Sequence, residues 1–396
     1  MKIKKNYRWK NVAKDHRPRV KKYFLPTKLE DLIQIVKEAE ANNMKVRAVG
    51  SGHSYSTVAV GSDYVVDLKN VNLVLPIKKK WLLDKQPLMF DDGQLLEIEA
   101  GISIQWLNKQ LERKKLALIN MGAVDDQTMA GAIATGTHGT GWNLPATPGM
   151  VRSITMVAHQ GKVYKIEPKS KPVTNPATYD HPTIELIQDD DIFNSALLGL
   201  GCMGLIYSYI IEVRKEYWLK ETKTPAFWAD VKPKLEDLSL FEKNEKGEQV
   251  YRGISVLVNP YPNVKDKDHR CLIIRHRELD EKEKRSISAS LPNLLGRIGG
   301  TLPIGYWIAL QTLYDKPHKM PKLIDSAMGS IKDKEYIHKS HKVLHQGAEL
   351  IKNKALSSEF AIPIKDPVRD FVTVTEALIK KSAALAREGM YISSPL

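Results

Sequence analysis

The stretch "NMGAVDDQTMAGAIATGTHGTGW", from Asn120 to Trp142, is the most informative part of this sequence. It combines repeated glycines with small hydroxyl residues and carries very little charge. Such a run cannot pack through its side chains alone, whereas glycines let a backbone approach a bound molecule closely. The stretch therefore predicts a loop that lines a ligand.

Two further glycine loops lie within the first 204 residues of the chain. "GSGHS" (Gly50 to Ser54) stands between the strand-like segments "KVRAV" and "YVVDL", and "GLGCMG" (Gly199 to Gly204) precedes a β-branched strand. Successive backbone N–H groups in such loops bind phosphate. The first loop is neither a Walker loop nor a GxGxxG turn, and alone it is compatible with a plain turn. Together the three loops favour a dinucleotide over an isolated phosphate.

The segments "VRAVGSGHSYS", "NMGAVDDQTMAGAIATGTHGTG" and "LLGLGCMGLI" resemble, in order and spacing, the flavin-contacting segments of FAD-linked oxidases of the vanillyl-alcohol-oxidase superfamily. They are most similar to the sugar-lactone and alditol oxidase branch. The resemblance implies an α+β fold, with an N-terminal PCMH-type FAD-binding domain of two α/β subdomains. It also implies a C-terminal substrate domain with an antiparallel sheet flanked by helices. We expect the first domain at residues 1–215 and the second at residues 216–396.

Carried over by position, the resemblance implies which residues contact the cofactor. The FAD pyrophosphate is expected to contact Val49, Gly50, Ser51, Gly52, His53 and Ser54. The flavin and its phosphates are expected to contact Gly122, Ala123, Thr128, Gly131, Thr135, Gly136, Thr137 and His138. Ile206 is expected beside the adenine.

His53 carries the most specific implication of the resemblance. In this oxidase branch, the histidine at its position is bonded to the 8α-methyl group of the isoalloxazine ring, which implies covalent FAD. An imidazole nitrogen can add to this electrophilic methyl group, and the resulting bond raises the reduction potential of the flavin. The alternative is a turn histidine that only hydrogen-bonds a phosphate.

Gly122 bears on the electron acceptor. Some dehydrogenases of the superfamily carry an alanine at this position, whose methyl group is thought to hinder oxygen, so glycine implies an oxidase. The alternative is a glycine that the backbone geometry requires.

Glu359 is the candidate catalytic residue. It is the lone carboxylate of the alternating apolar segment "SSEFAIPI" (Ser357 to Ile364), which is similar to the substrate-pocket glutamate strand of the family. We expect Glu359 to bind substrate or to accept the hydroxyl proton. Ala361 stands where alditol oxidases carry an arginine, and an exposed edge glutamate is the alternative reading.

The activity implied by the resemblance is oxidation of a CH–OH group of a sugar lactone or alditol. Hydride passes to flavin N5, and dioxygen is the acceptor that yields hydrogen peroxide. Two alternatives remain open: a dehydrogenase of the same superfamily that uses a quinone or cytochrome, and a non-catalytic FAD-binding remnant. The remnant is considered because the sequence ends at "MYISSPL" without the histidine–tryptophan–x–lysine motif of relatives, so the second domain is expected to lack its usual final segment.

Charge and composition bear on the expected partners, disulfides and compartment of the protein. The net charge of +14 comes from 60 basic and 46 acidic residues that are interspersed, without a zinc-finger or RNA-binding signature, so we expect no nucleic-acid partner. Two cysteines make no disulfide framework. The basic N-terminus lacks an apolar signal region, which predicts an uncleaved, cytoplasmic protein.

Two other segments receive a functional and a structural interpretation. Leu291 to Leu313 is apolar but broken by glycines and prolines, so we expect a buried element, with docking on a membrane or partner as the alternative. The histidines of "HKSHKVLH", namely His338, His341 and His345, have helical spacing. We interpret them as a solvated helix face and expect no metal site.

Overall fold

The computed structural model describes residues 1–61, 63–283, 315–331, 334–345, 359, 361–362, 369–392 and 395–396. The chain divides into two compact units. The first comprises Met1–Gly139, Pro145–Glu216 and Leu344–Ser357, and the second comprises Thr140–Leu144, Tyr217–Val343 and Ser358–Leu396. The apolar segment from Leu291 to Leu313 lies outside the described residues.

The first unit begins with a four-stranded sheet and one helix. The helix is α1 (Leu29–Ala41), whose apolar residues recur at helical spacing and include the buried Leu32, Ile35 and Ala39. The basic N-terminal residues form two of its strands. The strands are β1 (Lys2–Arg8), β2 (Arg19–Leu25), β3 (Val46–Val49) and β4 (Tyr64–Asp67), in the spatial order β1-β2-β4-β3.

A larger sheet follows in the same unit, and β11 (Leu205–Lys215) lies near its centre, antiparallel to both neighbours. Its other strands are β5 (Val74–Leu75), β6 (Gln94–Glu99), β7 (Leu116–Ala117), β8 (Val151–Val157), β9 (Val163–Glu167) and β10 (Ile184–Gln188). The order is β10-β9-β8-β11-β6-β5, with β7 paired to β11. A hairpin through His159, Gln160 and Gly161 joins β8 to β9.

Three helices accompany this sheet: α2 (Ile104–Arg113), α3 (Met129–Ala134) and α4 (Asp190–Leu197). Each begins with a side-chain cap. Ser103 caps α2, because its hydroxyl oxygen accepts a hydrogen bond from the backbone N–H of Trp106 at 3.1 Å. Thr128 and Asp189 cap α3 and α4 in the same way, which satisfies N–H groups that have no partner within a helix.

The second unit is an antiparallel sheet with helices on both faces. Its strands are β12 (Trp218–Phe227), β13 (Gly253–Val258), β14 (Arg270–Glu278) and β15 (Lys334–Lys339), in the order β13-β14-β12-β15. Its helices are α5 (Trp228–Glu236), α6 (Met320–Gly329), α7 (Ser340–Leu344) and α8 (Arg369–Arg387).

Alternate residues of β14 build two cores in this unit. Cys271 and Ile273 pack with α5 and with Val372 of α8, whereas Leu272 and Ile274 pack with α6. This arrangement follows from the two-residue period of a strand. The described residues of the two units thus confirm the predicted α+β class and the antiparallel sheet flanked by helices.

The histidine-rich segment departs from its predicted helix. His338 lies in β15 and only His341 lies in a helix, the short α7. The segment forms a strand despite the helical spacing of its histidines, because β15 pairs with β12 along six residues. The pairing runs from Trp218 opposite Lys339 to Lys223 opposite Lys334.

Candidate functional site

The first two glycine loops contact each other within the first unit. A Cβ atom added to Gly50 would lie 2.3 Å from Oγ1 of Thr128, so only glycine fits at this position. The neighbouring hydroxyl of Ser51 donates a hydrogen bond of 2.6 Å to the backbone carbonyl of Asp126. The structure therefore brings Val49–Ser54 against the start of α3, as a shared ligand site requires.

The first loop presents a run of available donors. The backbone N–H groups of Ser51, Gly52, His53 and Ser54 donate to no atom within the described residues. Gly52 has a φ of +76°, a left-handed conformation that favours glycine and lets the chain turn sharply here. Consecutive free N–H groups in a tight turn fit the oxygens of a diphosphate, which supports this part of the implied FAD site.

The N-terminal segment braces this loop, a role that the sequence did not suggest. The backbone N–H of Val12 donates to the carbonyl of Gly52 at 2.9 Å, and the Asn11 amide donates to the carbonyl of Ser54 at 3.2 Å. The ring of His16 lies 3.0 Å from the carbonyl of Tyr55. These contacts leave the loop N–H groups available while they hold its carbonyls.

The imidazole of His53 is half-buried and makes no hydrogen bond within the described part of the chain. Burial lowers the pKa of His53 below its ordinary value, and the nearby charge of Asp126 offsets this only in part. The ring is therefore neutral at neutral pH and keeps a nitrogen lone pair. This state suits an imidazole that bonds an electrophilic carbon.

The second loop folds back on itself around Gly122. A Cβ atom on this buried glycine would lie 3.0 Å from Cγ2 of Thr137 and 3.2 Å from the carbonyl oxygen of His138. A Cβ atom on Gly139 would lie only 2.1 Å from the carbonyl oxygen of Met121. Backbone crowding thus gives Gly122 a packing reason in this chain, so the residue does not by itself indicate access for oxygen.

Several expected contact residues of the second loop already have protein partners. Thr128 Oγ1 accepts from the backbone N–H of Gly131 at 3.2 Å, and the hydroxyl of Thr135 donates to the carbonyl of Gly131 at 2.9 Å. Thr135 and His138 are exposed, whereas Ala123, Gly136 and Thr137 are partly buried. The exposed members remain accessible to a ligand.

The third loop adjoins the other two. The guanidinium of Arg47, on β3, donates to the carbonyl of Leu200 at 2.8 Å, and a Cβ atom on Gly136 would meet Leu198 at 3.9 Å. The loop exposes 52% of Leu198, 45% of Leu200 and 39% of Met203, an apolar surface that suits an adenine ring. Ile206 is buried on β11 opposite Met156.

The candidate acid–base residue belongs to the second unit. Glu359 is exposed and lies in no described helix or strand, and much of its segment lies outside the described residues. Elsewhere in that unit, Nε2 of His276 lies 3.1 Å from Oε2 of Glu221, and Nδ1 lies 3.5 Å from the hydroxyl of Thr140. This buried acid–imidazole pair was not found from the sequence.

The neighbours of Glu221 favour the ionised form of its carboxyl. Burial alone would raise the pKa of the Glu221 carboxyl, but the hydrogen bond from His276 and the charge of Lys223 outweigh it, so the pKa lies below its ordinary value. The Nζ atom of Lys223 lies 3.1 Å from Oε1 of Glu221.

Within the described ranges, no group of three or more histidine, cysteine, aspartate or glutamate side chains is arranged to hold a metal ion. His345 instead lies with its Nδ1 atom 3.4 Å from Oδ1 of Asp125. Among the helices that the structure describes, none combines the length and the apolar character that a membrane crossing requires.

We expect Glu221→Gln to lower the free energy of unfolding of the second unit by about 1–3 kcal/mol at neutral pH, because a buried charged hydrogen bond is weakened. A lowered pKa stabilises the fold above the ordinary value of 4.5 and loses that effect as pH falls through the native pKa. The wild type and the variant should therefore converge in strong acid. Chemical denaturation at several pH values measures this, and a constant difference across pH would contradict it.

The control is Glu236→Gln, on the exposed side of α5. It should change the free energy of unfolding by no more than about 0.5 kcal/mol at every pH.

We expect Gly50→Ala to abolish retention of FAD, because the new methyl group meets Thr128 Oγ1 and pushes the first loop away from α3. The double variant Gly50→Ala/Thr128→Ala removes that oxygen, so it should regain FAD although α3 loses its cap, a loss of about 1 kcal/mol. Flavin absorbance per polypeptide measures the outcome. Full FAD content in Gly50→Ala, or an equal loss in the single and double variants, would contradict the contact's role.

The first two of these loops lie within the residues that match a known family. Residues 20–167 match the family model of an FAD binding domain. D-arabinono-1,4-lactone oxidase of Kluyveromyces lactis is 30% identical over 218 residues, which are 55% of this chain and 37% of that protein. L-gulonolactone oxidase of Mus musculus is 28% identical over 232 residues, 59% of this chain and 46% of the mouse protein.

Solved structures show the same fold. A solvent-stable cholesterol oxidase covers 100% of this chain with a TM-score of 0.63, and the match spans 72% of that protein at 15% identity. At this identity the likeness shows the fold alone. The chain spans less than half the length of the curated relatives described above. Residues 20–167 thus match the FAD binding domain family, and over somewhat more than half of its length the chain is similar to sugar-lactone oxidases.

Proposed function

We propose that this chain is an FAD-dependent oxidase that converts a CH–OH group of a sugar lactone or alditol to a carbonyl, with dioxygen as acceptor. The observation that carries the proposal is the convergence of three glycine loops around free backbone donors, in a chain whose relatives are lactone oxidases. Because those relatives are longer than this chain, the activity, the substrate and the acceptor are all part of the proposal.

The first unit would hold the cofactor. The N–H groups of Ser51–Ser54 would bind the diphosphate, and the apolar third loop would cover the adenine beside Ile206. A nitrogen of the neutral His53 ring would bond the 8α carbon of the flavin. The chemistry that bound FAD supplies is acceptance of a hydride at N5, with reoxidation by dioxygen to give hydrogen peroxide.

The second unit would handle the substrate proton. A carbinol that loses hydride must also lose its hydroxyl proton, and Glu359 is proposed as the carboxylate that accepts it. Its exposure is compatible with contact to a small polar molecule. Both cysteines, Cys202 and Cys271, are free thiols, which supports the cytoplasm as the proposed compartment.

We expect the yellow colour to stay with the polypeptide when the purified protein is denatured in acid, because His53 is bonded to the flavin. His53→Ala should retain FAD in the native state and release all of it in acid. His159→Ala, an exposed histidine of the β8–β9 hairpin, should behave like the wild type. Release of all FAD from the acid-denatured wild type would show that the link is absent.

We expect anaerobic mixing with D-arabinono-1,4-lactone or L-gulono-1,4-lactone to bleach the flavin, and aerobic mixing to consume oxygen with equal formation of hydrogen peroxide. Glu359→Gln should slow bleaching by about 10²–10⁴-fold at unchanged FAD content, as loss of a general base does. Glu388→Gln, an exposed glutamate after α8, is the matched control.

Two outcomes would contradict this proposal in different ways. Bleaching by a lactone with reduction of an artificial acceptor, but without oxygen consumption, would indicate a dehydrogenase. Failure of a panel of lactones and alditols to bleach a protein that holds FAD would indicate a non-catalytic FAD-binding protein.

A further inference from the structure

A cavity of about 280 Å³ in the first unit has no role in the FAD site. It lies on one face of the larger sheet, beside the start of α1 and the segments around Trp81 and Tyr179. Its volume is just below the range of about 300–1,000 Å³ that is typical of small-molecule sites. We propose that this cavity binds a small uncharged polyol ring of monosaccharide size.

The floor of the cavity is polar, although it lies on a sheet. Thr155 pairs with Lys165 on one side and with Ser208 on the other, and directly paired residues share a face. The hydroxyl of Ser208 donates to Oε1 of Glu97 at 2.8 Å. The floor thus offers an ammonium group, two hydroxyl groups and a carboxylate to one ligand.

Lys165 is the charged group of the floor that makes an ion pair but no hydrogen bond among the described residues. The residue is 7% exposed, and its ammonium makes no hydrogen bond within the described ranges. The nearest carboxylate oxygen, Oε1 of Glu167, is 3.9 Å away. That carboxylate already accepts from the backbone N–H groups of Val173 and Thr174. A buried charge without hydrogen bonds is costly, and a ligand hydroxyl that accepts from Lys165 would relieve this cost.

The wall of the cavity is aromatic and held in place. Ring centroids of Trp81 and Tyr179 are 5.0 Å apart, and those of Trp81 and His181 are 5.6 Å apart. Asp180 accepts from the indole N–H of Trp81 at 2.6 Å and from Lys80 at 2.6 Å, which fixes the indole. Aromatic faces of this kind pack against the C–H face of a sugar ring.

The aromatic wall also supplies two hydrogen-bond donors, from His181 and Tyr179. Nδ1 of His181 accepts from the backbone N–H groups of Thr183 and Ile184, so its proton lies on Nε2. Burial, Lys78 and Lys165 lower the pKa of His181, which keeps the ring uncharged. The phenol of Tyr179 donates to no atom of the described residues.

The charges that line the cavity favour an uncharged ligand. Lysines contribute at Lys28, Lys78 and Lys165, and glutamates at Glu30 and Glu97. A carboxylate or an amine would therefore meet a like charge at one side of the cavity. A hydroxyl both donates and accepts, so neighbouring hydroxyl groups of one ring can donate to Glu97 and accept from Lys165.

The cavity is distinct from the three FAD-binding loops, because none of its lining residues belongs to them. Thr155 and Met156 are adjacent in β8, so their side chains point to opposite faces of the sheet. Met156 is the side chain against which Gly204 of the third loop packs. The cavity and this part of the third loop thus lie on opposite faces of β8.

The test follows the indole N–H signal of Trp81 by NMR in the full-length, FAD-loaded protein labelled with ¹⁵N-tryptophan, with Trp81→Phe to assign the signal. We expect methyl β-D-glucopyranoside to shift the Trp81 signal in a saturable way. Lys165→Met should weaken this binding about tenfold or more, because a charge-assisted hydrogen bond is lost. Lys162→Met, an exposed lysine just before β9, should bind as the wild type does.

Tyr179→Phe provides a second variant that removes one hydroxyl and should weaken binding severalfold, so the test does not depend on folding of Lys165→Met. A Trp81 signal that the glycoside leaves unmoved would overturn the proposal. So would equal affinity in wild type, Lys165→Met and Tyr179→Phe, or a saturable shift with benzoate in place of the glycoside. None of these readouts requires turnover, so they are independent of the proposed oxidase activity.

Discussion

The contact between Gly50 and Thr128 is the constraint on which the candidate cofactor site depends. Gly50 follows β3 in the smaller sheet of the first unit, and Thr128 begins α3 beside the larger one. With no side chain on Gly50, Thr128 Oγ1 can lie where a Cβ atom would stand and still cap α3. The absence of a side chain at Gly50 thus lets the first loop pack closely against the start of α3, beside the loop's free N–H groups.

Local patterns in the sequence are sufficient to predict several helices and turns of the first unit. The helical spacing of apolar residues in Leu29–Ala41 predicts α1, Ser103 predicts the start of α2, and the turn at Gly161 predicts the β8–β9 hairpin. The sequence did not indicate β12, because Pro225 and the charged residues Lys220, Glu221 and Lys223 break the usual strand pattern. Pairing with β14 on one side and β15 on the other overrides that weak propensity. The same pairing places His338 in a strand.

The candidate site was predictable where its residues are adjacent in sequence and missed where distant residues meet. The three glycine loops were found from composition and spacing, but Asn11 contacts Ser54 across 43 residues and His276 contacts Glu221 across 55. Side chains that meet only after folding leave no periodic signal. Gly122 shows that a residue singled out for function can also have a structural reason. The glycine suggests access for oxygen, but crowding by Thr137 and His138 also explains it.

The bracing of the first loop by Val12, Asn11 and His16 has a thermodynamic consequence for cofactor capture. A loop that already has its bound shape loses little conformational entropy when it takes up a ligand. The N-terminal segment therefore contributes to affinity without touching the cofactor, since it fixes the carbonyls of Gly52, Ser54 and Tyr55 in advance. The first loop is therefore ordered during folding, so the entropy cost of ordering it does not reduce the affinity for the diphosphate.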